Sequence, residues 1–373
     1  MTTGPVGVAL VGAGVISTEY LRALTAFPDI RVLGVADLDT RRAEEAAREY
    51  GVPVAGDVAT VLAVPEVEVV VNLTAPAAHT TVARAALEAD KHVYGEKPLA
   101  LEPADGAKLL GEATERGLRV GSAPDTFLGA GIQSAIRAIH AGVIGTPIAA
   151  ATATLGPGPE SWHHSPEFLF QQGAGPLFDI GPYYLTALVA LLGPVRQVAA
   201  TARTGRAERV IGSGPKAGKR FPVEVPTHVT ALIDFGRGAS ASSTFSFDSP
   251  IERTVIEITG TDGTLRVPDP NSFSGPLRVR GAGDEKWREL AVEGTTAGRG
   301  IGVLEDGTVA AGRTPAPCVR RDGAARTRHH GGDRGVGAQR RVPPGHHRLP
   351  RRRTAPRALG SVRSDAGVSP TPG

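Results

Sequence analysis

Short apolar runs alternate with amphipathic stretches over residues 6–122, the pattern of βαβ units around a parallel sheet. Val6–Val11 and Val32–Ala36 read as strands. Val67–Leu73 is an unbroken apolar run, which predicts a central strand covered on both faces. Between these runs, Ser17–Ala26, Thr40–Tyr50, Thr80–Ala89 and Pro103–Arg116 carry apolar residues at helical spacing. His92–Tyr94 and Leu118–Gly121 complete the alternation as short strands.

The rhythm changes after Gly121. Ile132–Ala141 predicts a helix, Gly142–Pro147 a turn and Ile148–Thr154 a strand. Pro157–Gly175 predicts a long irregular loop, and Pro182–Leu192 a helix. From Gln197 to Val267 strand signals dominate, among them Val229–Phe235, Ala241–Phe247 and Val255–Thr259. The expected class is therefore α/β: a parallel dinucleotide-binding domain over 1–122, then an α+β substrate domain over 123–305 with a large, open mixed sheet.

The first strand runs into Gly12-Ala13-Gly14-Val15-Ile16-Ser17. Gly12 permits a tight turn, and Gly14 lets backbone approach a pyrophosphate at the positive end of the following helix. Ser17 takes the third position of that fingerprint, where a small residue keeps helix and strand close. Asp37 ends the next strand, placed to accept hydrogen bonds from ribose hydroxyls and to repel a 2′-phosphate. This favours NAD over NADP, although Arg41 and Arg42 stand close enough to compensate a 2′-phosphate.

Gly95-Glu96-Lys97-Pro98 follows the His92–Tyr94 strand. Together with the glycine turn, Asp37, Thr74-Ala75-Pro76 with His79, Gly142–Pro147 and Gly175–Tyr184, it resembles the Gfo/Idh/MocA oxidoreductases over nearly all of residues 6–305. The resemblance implies a Rossmann domain that holds NAD through Gly12, Gly14, Val15, Ile16, Asp37, Thr74, Pro76, His79, Glu96 and Lys97. It implies Lys97 beside the nicotinamide as acid/base, Glu96 on the ribose side and Pro98 shaping the turn, with a cis bond before it compatible with the sequence. A lysine partly withdrawn from water can serve as such a proton carrier.

The second motif departs from the family's commonest form, which places a His four residues after the Asp; here Tyr183 follows Asp179 at that spacing. A phenol titrates near 10, far from neutrality. Either a neighbouring lysine lowers it, or Tyr183 only hydrogen-bonds substrate while Lys97 moves the proton. Asp179 reads as a substrate-hydroxyl acceptor, as a partner orienting Lys97, or as an N-cap of the next helix. Trp162, His163 and His164 in the long loop are further pocket candidates, the tryptophan to stack on a sugar face and either histidine to supply the missing acid/base function. Metal-like ligand spacing is not found, so no metal is expected.

Charge changes the picture at one end. The chain carries a formal net charge of +3, but residues 306–373 contain 14 Arg, 4 Asp and neither Lys nor Glu, so the rest is acidic. That segment lacks Ile, Phe, Tyr, Trp and Met, and disorder is its expected state. It lacks the aromatic interleaving of a nucleic-acid arm, and no nucleic-acid partner is expected. Read one base out of frame from Asp306, with free synonymous choice, it permits a Gly-Arg-Pro-His-Arg-Ala-Ser-Gly motif similar to the one with which the family ordinarily continues. The expectation is a frameshifted tail.

No apolar run is long enough for a membrane span, the first residues show no secretory signal, and Cys318 is the one cysteine. A cytoplasmic homodimer or homotetramer is expected. Its reaction would be hydride transfer between nicotinamide and a secondary alcohol or ketone of a sugar, inositol or related polyol. A redox-neutral lyase or hydrolase using the same cofactor, and a non-catalytic dinucleotide sensor, are the alternatives.

Overall fold

The computed structural model describes residues 4–296 and 298–303. The expected disorder of residues 306–373 lies outside the described residues. The first part is a six-stranded parallel sheet of order β3-β2-β1-β4-β5-β6. In chain order its elements are β1 (Val6–Val11), α1 (Val15–Leu24), β2 (Ile30–Ala36), α2 (Thr40–Tyr50), β3 (Val54–Gly56), α3 (Val58–Leu62), β4 (Val69–Asn72), α4 (His79–Glu88), β5 (His92–Gly95), α5 (Pro103–Glu115) and β6 (Val120–Ser122). Strands β1 and β4 are buried at every position, which is why both appear in sequence as continuous apolar runs. One core packs Tyr20, Leu21 and Leu24 of α1 onto Leu10, Val69 and Val71; the other packs Ala83, Leu87 and Leu109 onto Ala9, Val70 and Val93. Because β1 and β4 adjoin while their crossovers diverge, a crevice opens beyond their carboxyl ends.

The predicted strand Val67–Leu73 shortens to β4, and α1 starts two residues before Ser17. The edge strand β3 and the one-turn helix α3 were not predicted. Each is too short to express a period, although Asp57 caps α3 by accepting from Thr60 N at 2.8 Å.

The second part follows with α6 (Ala130–His140), β7 (Pro147–Leu155), α7 (Gly175–Asp179), α8 (Gly181–Leu192), β8 (Val195–Arg203), β9 (Glu208–Val210), β10 (Arg220–Pro222), β11 (His228–Phe235), β12 (Ser240–Ser246), β13 (Arg253–Gly260), β14 (Gly263–Arg266), β15 (Leu277–Gly281) and β16 (Arg288–Leu290). Eight strands form a mixed sheet of order β16-β15-β14-β13-β7-β12-β11-β8, antiparallel except at β12–β7. Helices α6 and α8 cover one face: Ile132, Ile139, Leu188 and Leu191 pack on Ile233, Phe235, Ile256 and Ile258. The other face leaves Ile148, Val198 and Leu232 exposed, as the alternation in β11 predicts. Strands β15 and β16 lie beyond the predicted strand region.

Gly12 shows how tightly the first turn is built. Its φ is +104°, and a Cβ there would fall 2.7 Å from the carbonyl carbon and oxygen of Leu73. Gly12→Ala should lower stability by about 1–3 kcal/mol, read as a shift in the urea unfolding midpoint. An unchanged midpoint would show that the turn does not need this conformation.

Candidate active site

The strand ends converge through hydrogen bonds that begin in the sequence motifs. Asp37 closes the glycine turn, accepting from Ala13 N at 2.7 Å through Oδ2 and from Asp39 N at 2.9 Å through Oδ1. Ser17 is buried and returns its hydroxyl to the Gly14 carbonyl at 2.6 Å, so the small third position serves packing as expected. Gly14 is the N-cap of α1 and offers no side chain to the helix's first amides, and a Cβ on it would meet nothing within 4 Å. Val15 beside it is 96 % exposed. An open, amide-rich turn with an apolar neighbour and a carboxylate at the next strand end fits a dinucleotide.

His79 ties two of these loops together. Its buried ring bridges the Thr74 carbonyl at 2.9 Å and the Pro98 carbonyl at 2.6 Å. Asn72, at the end of β4, accepts from the Thr74 hydroxyl at 2.7 Å and donates to the His79 carbonyl at 2.9 Å. Glu96 Oε1 accepts from the Tyr20 hydroxyl at 2.9 Å, and Oε2 from the Lys97 amide at 3.1 Å. Burial and the adjacent Glu96 charge push the Tyr20 phenol well above its ordinary value, so it remains a donor. The Lys97–Pro98 peptide is cis.

Lys97 Nζ donates to Asp179 Oδ1 at 3.0 Å and to the Asp179 carbonyl at 2.8 Å. Both side chains are mostly covered. Asp179 is the last residue of α7. The N-cap position of α8 belongs to Ile180, which makes no side-chain cap, so the capping expectation for Asp179 is corrected: its carboxylate is turned to Lys97. The buried Tyr183 ring centroid lies 5.7 Å from Lys97 Nζ.

Arg299, which was not anticipated from sequence, donates to the Tyr183 hydroxyl at 3.0 Å and to Asn271 at 3.3 Å. Its segment returns from the second sheet to the first: Asp125 accepts from Gly300 N at 2.7 Å and Gly302 N at 3.2 Å, while Val303 packs beside Tyr94 and Ala123. Burial raises the Tyr183 pKa, and the Arg299 and Lys97 charges only offset part of that rise. Of the two alternatives open for Tyr183, a phenol lowered by Lys97 is therefore the one set aside. With Arg299 donating to its oxygen, Tyr183 keeps its own proton to donate.

A cavity of about 560 Å³ joins these groups. It runs from Ile16 along Thr74 and Pro76 to Glu96, Lys97, Asp179, Tyr183 and Arg299. Phe168, Leu169 and Gln171 from the long loop close it. Trp162 lies in a neighbouring cavity of about 270 Å³ whose wall Asp179 shares, and His163 lines neither of the two. The His163 ring instead packs edge-on against Trp162 and Phe168, both at 5.5 Å. No cluster of three metal-ligating side chains occurs among the described residues, and no described helix is long and apolar enough to cross a membrane.

A parallel sheet with an amide-rich glycine turn, and a cavity that runs from Ile16, two residues past that turn, to a lysine and a tyrosine, define a dinucleotide-dependent oxidoreductase. The chain belongs to the Gfo/Idh/MocA family. Residues 6–123 match the model described as the oxidoreductase family with an NAD-binding Rossmann fold, and residues 132–266 match the GFO/IDH/MocA C-terminal domain. It is 28 % identical over 264 residues to the trans-1,2-dihydrobenzene-1,2-diol dehydrogenase of Oryctolagus cuniculus, spanning 70 % of this chain and 75 % of that one. To inositol 2-dehydrogenase 3 of Saccharopolyspora erythraea it is 26 % identical over 293 residues, 76 % and 80 % of the two chains. The crystal form of levoglucosan dehydrogenase with NADH and L-sorbose shares its fold, with a TM-score of 0.69 at 23 % identity over 85 % of this chain and 92 % of the other.

Proposed function

We propose that this oxidoreductase interconverts a secondary alcohol and a ketone on a sugar, inositol or related polyol. The observation that carries the reading is the Lys97 ammonium, fixed by both the side chain and the carbonyl of Asp179 on the wall of a cavity that extends to Ile16, two residues past the glycine turn. Gly12, Gly14, Val15, Ile16, Asp37, Thr74, Pro76, His79, Glu96 and Lys97 would hold NAD, which supplies the hydride acceptor or donor when bound. Lys97 exchanges a proton with the reacting oxygen. Asp179 orients Lys97 and accepts a neighbouring hydroxyl, and Tyr183 donates its proton to substrate while Arg299 holds its oxygen. Asp37 favours NAD, since a second anion beside it would be repelled; Arg41, paired with Asp39, is the nearby cation through which NADP would be admitted.

The domain limits we assign are 1–122 and 123–305, with Arg299 carried back to the first domain's site. The exposed Ile148, Val198 and Leu232 support pairing of the open sheet faces in a homodimer or homotetramer. Assignment to the cytoplasm rests on the single cysteine, and assignment of residues 306–373 to a frameshift rests on their composition and out-of-frame reading.

The test is NAD reduction over a panel of myo-inositol, aldoses and methyl glycosides, with this chain beside one whose frame is restored near codon 306. Accumulating NADH with at least one polyol is the expected result. Product formation without net NADH would move the assignment to the redox-neutral chemistry, and silence from both chains with NADH still bound would overturn the dehydrogenase reading.

A further inference from the structure

Asp179 stands in the wall between two cavities of different chemistry. On the Lys97 side the lining includes the cations Lys97 and Arg299. On the other side, Thr154, Trp162, Ser246, Glu252 and Thr254 line about 270 Å³ with Asp179, and no Lys, Arg or His takes part. Asp179 Oδ1 is engaged by Lys97, while Oδ2 has no hydrogen-bond partner among the described residues. Carboxylates and hydroxyls without a cation accept O–H groups and reject anions. Trp162 adds a large apolar ring, 67 % exposed, backed edge-on by His163 and through it by Phe168.

The loop that carries Trp162 is fixed, not trailing. Arg209 donates to the Pro157 carbonyl at 3.0 Å and to Glu160, two residues before Trp162. Ser246 Oγ already accepts from Asp248 N at 3.1 Å and meets His228 Nδ1 at 3.0 Å, and Tyr184 engages the Thr154 and Thr254 hydroxyls, so the open acceptors are Asp179 Oδ2 and the Glu252 carboxylate. An exposed indole beside two such carboxylates is the chemistry that recognises a sugar ring, apolar on its faces and polar at its edge. The volume is close to the lower end for small-molecule sites, about 300 Å³, enough for one added ring.

We propose that this cavity is a subsite for a second, neutral, hydroxylated ring, so that the substrate is a glycoside of at least two rings. Its reacting ring occupies the Lys97 cavity and its neighbour lies against Trp162, with Asp179 between them. The proposal rests on the sugar or polyol reading above and narrows it.

The chain has two tryptophans, and Trp287 packs under Arg266 on the far sheet edge, 4.4 Å from its guanidinium. A Trp287→Phe protein loaded with NADH therefore reports on Trp162 by its indole emission. Titration with methyl β-cellobioside and methyl β-xylobioside should change that emission, whereas the corresponding one-ring methyl glycosides should not. In turnover, Trp162→Ala should lower the ratio of kcat/KM for two-ring over one-ring glycosides about tenfold, and Trp162→Phe should restore most of it. An emission response without NAD reduction would support the subsite and count against the dehydrogenase assignment. No response to any two-ring glycoside while one-ring glycosides reduce NAD would overturn the subsite alone, as would an unchanged ratio in Trp162→Ala. If neither ring size reduces NAD or alters emission, both readings fall.

Discussion

Lys97→Met should reduce kcat by about a hundredfold to ten-thousandfold, the contribution of a positioned proton-transfer group, with little change in NADH affinity. Methionine keeps the unbranched stem, one atom shorter, and removes the nitrogen that carries the proton. The other cofactor-holding groups keep supports of their own: Asp37 is braced by Ala13 and Asp39, and His79 by Thr74 and Pro98. Lys97→Arg should fail to rescue, because a guanidinium keeps its charge but does not release a proton near neutrality. The residual rate of Lys97→Met as a function of pH is the sharper measurement. Burial raises the Tyr183 pKa above that of a free phenol, so Tyr183 stays protonated through neutral pH and cannot serve as the base there. A residual rate that is flat between pH 6 and 9, about one unit short of the free phenol value near 10, is the expected profile. A steep rise through that window would mean that Tyr183 assumes the base role, and retention of more than a tenth of the wild-type rate would remove Lys97 from the chemistry.

How much of this was legible before the structure depended on whether a residue's neighbours are close in sequence. The first sheet was readable because parallel strands buried on both faces leave continuous apolar runs, as in β1 and β4, and because α2 carries its alanines at helical spacing behind the Asp39 cap. Glu96, Lys97 and Asp179 were readable from short motifs, since each sits at the end of a regular element. The position of Lys97 against Asp179 was a matter of tertiary packing, and the capping alternative for Asp179 was settled by α8 starting at Gly181. Arg299 gave no local signal. It lies in a glycine-rich stretch whose path is set by Asp125 and by burial of Ile301 and Val303. Trp162 and His163 look equivalent as sequence neighbours, yet the 3-10 turn before them leaves Trp162 on a cavity wall and His163 as its support.

Arg209 gives no sign of burial in sequence, standing between Glu208 and Val210 in the three-residue strand β9. It is 3 % exposed, donates to Glu160 and Asp248 and to the carbonyls of Pro157 and Phe247, and lies 5.4 Å from the Phe170 ring. One guanidinium thus joins the start of the 157–175 loop to the end of β12, and the loop supplies walls to both cavities. Arg209→Met leaves the buried Glu160 and half-buried Asp248 carboxylates without their shared cation, and breaking such a cluster costs about 3–5 kcal/mol. The urea midpoint should fall accordingly, and KM should rise more than kcat falls, because the loop binds substrate and does not carry the proton. Arg209→Lys should recover only part of the loss, since one ammonium cannot span four acceptors held at opposite sides of a planar fork. Adding Glu160→Gln and Asp248→Asn to Arg209→Met should return most of the stability by removing the stranded charges, but not the low KM, because the tether between loop and strand is still cut. Equal losses in the single and triple variants would show that the methionine disrupts packing around Phe170 and Phe247, and that the ion cluster itself holds nothing.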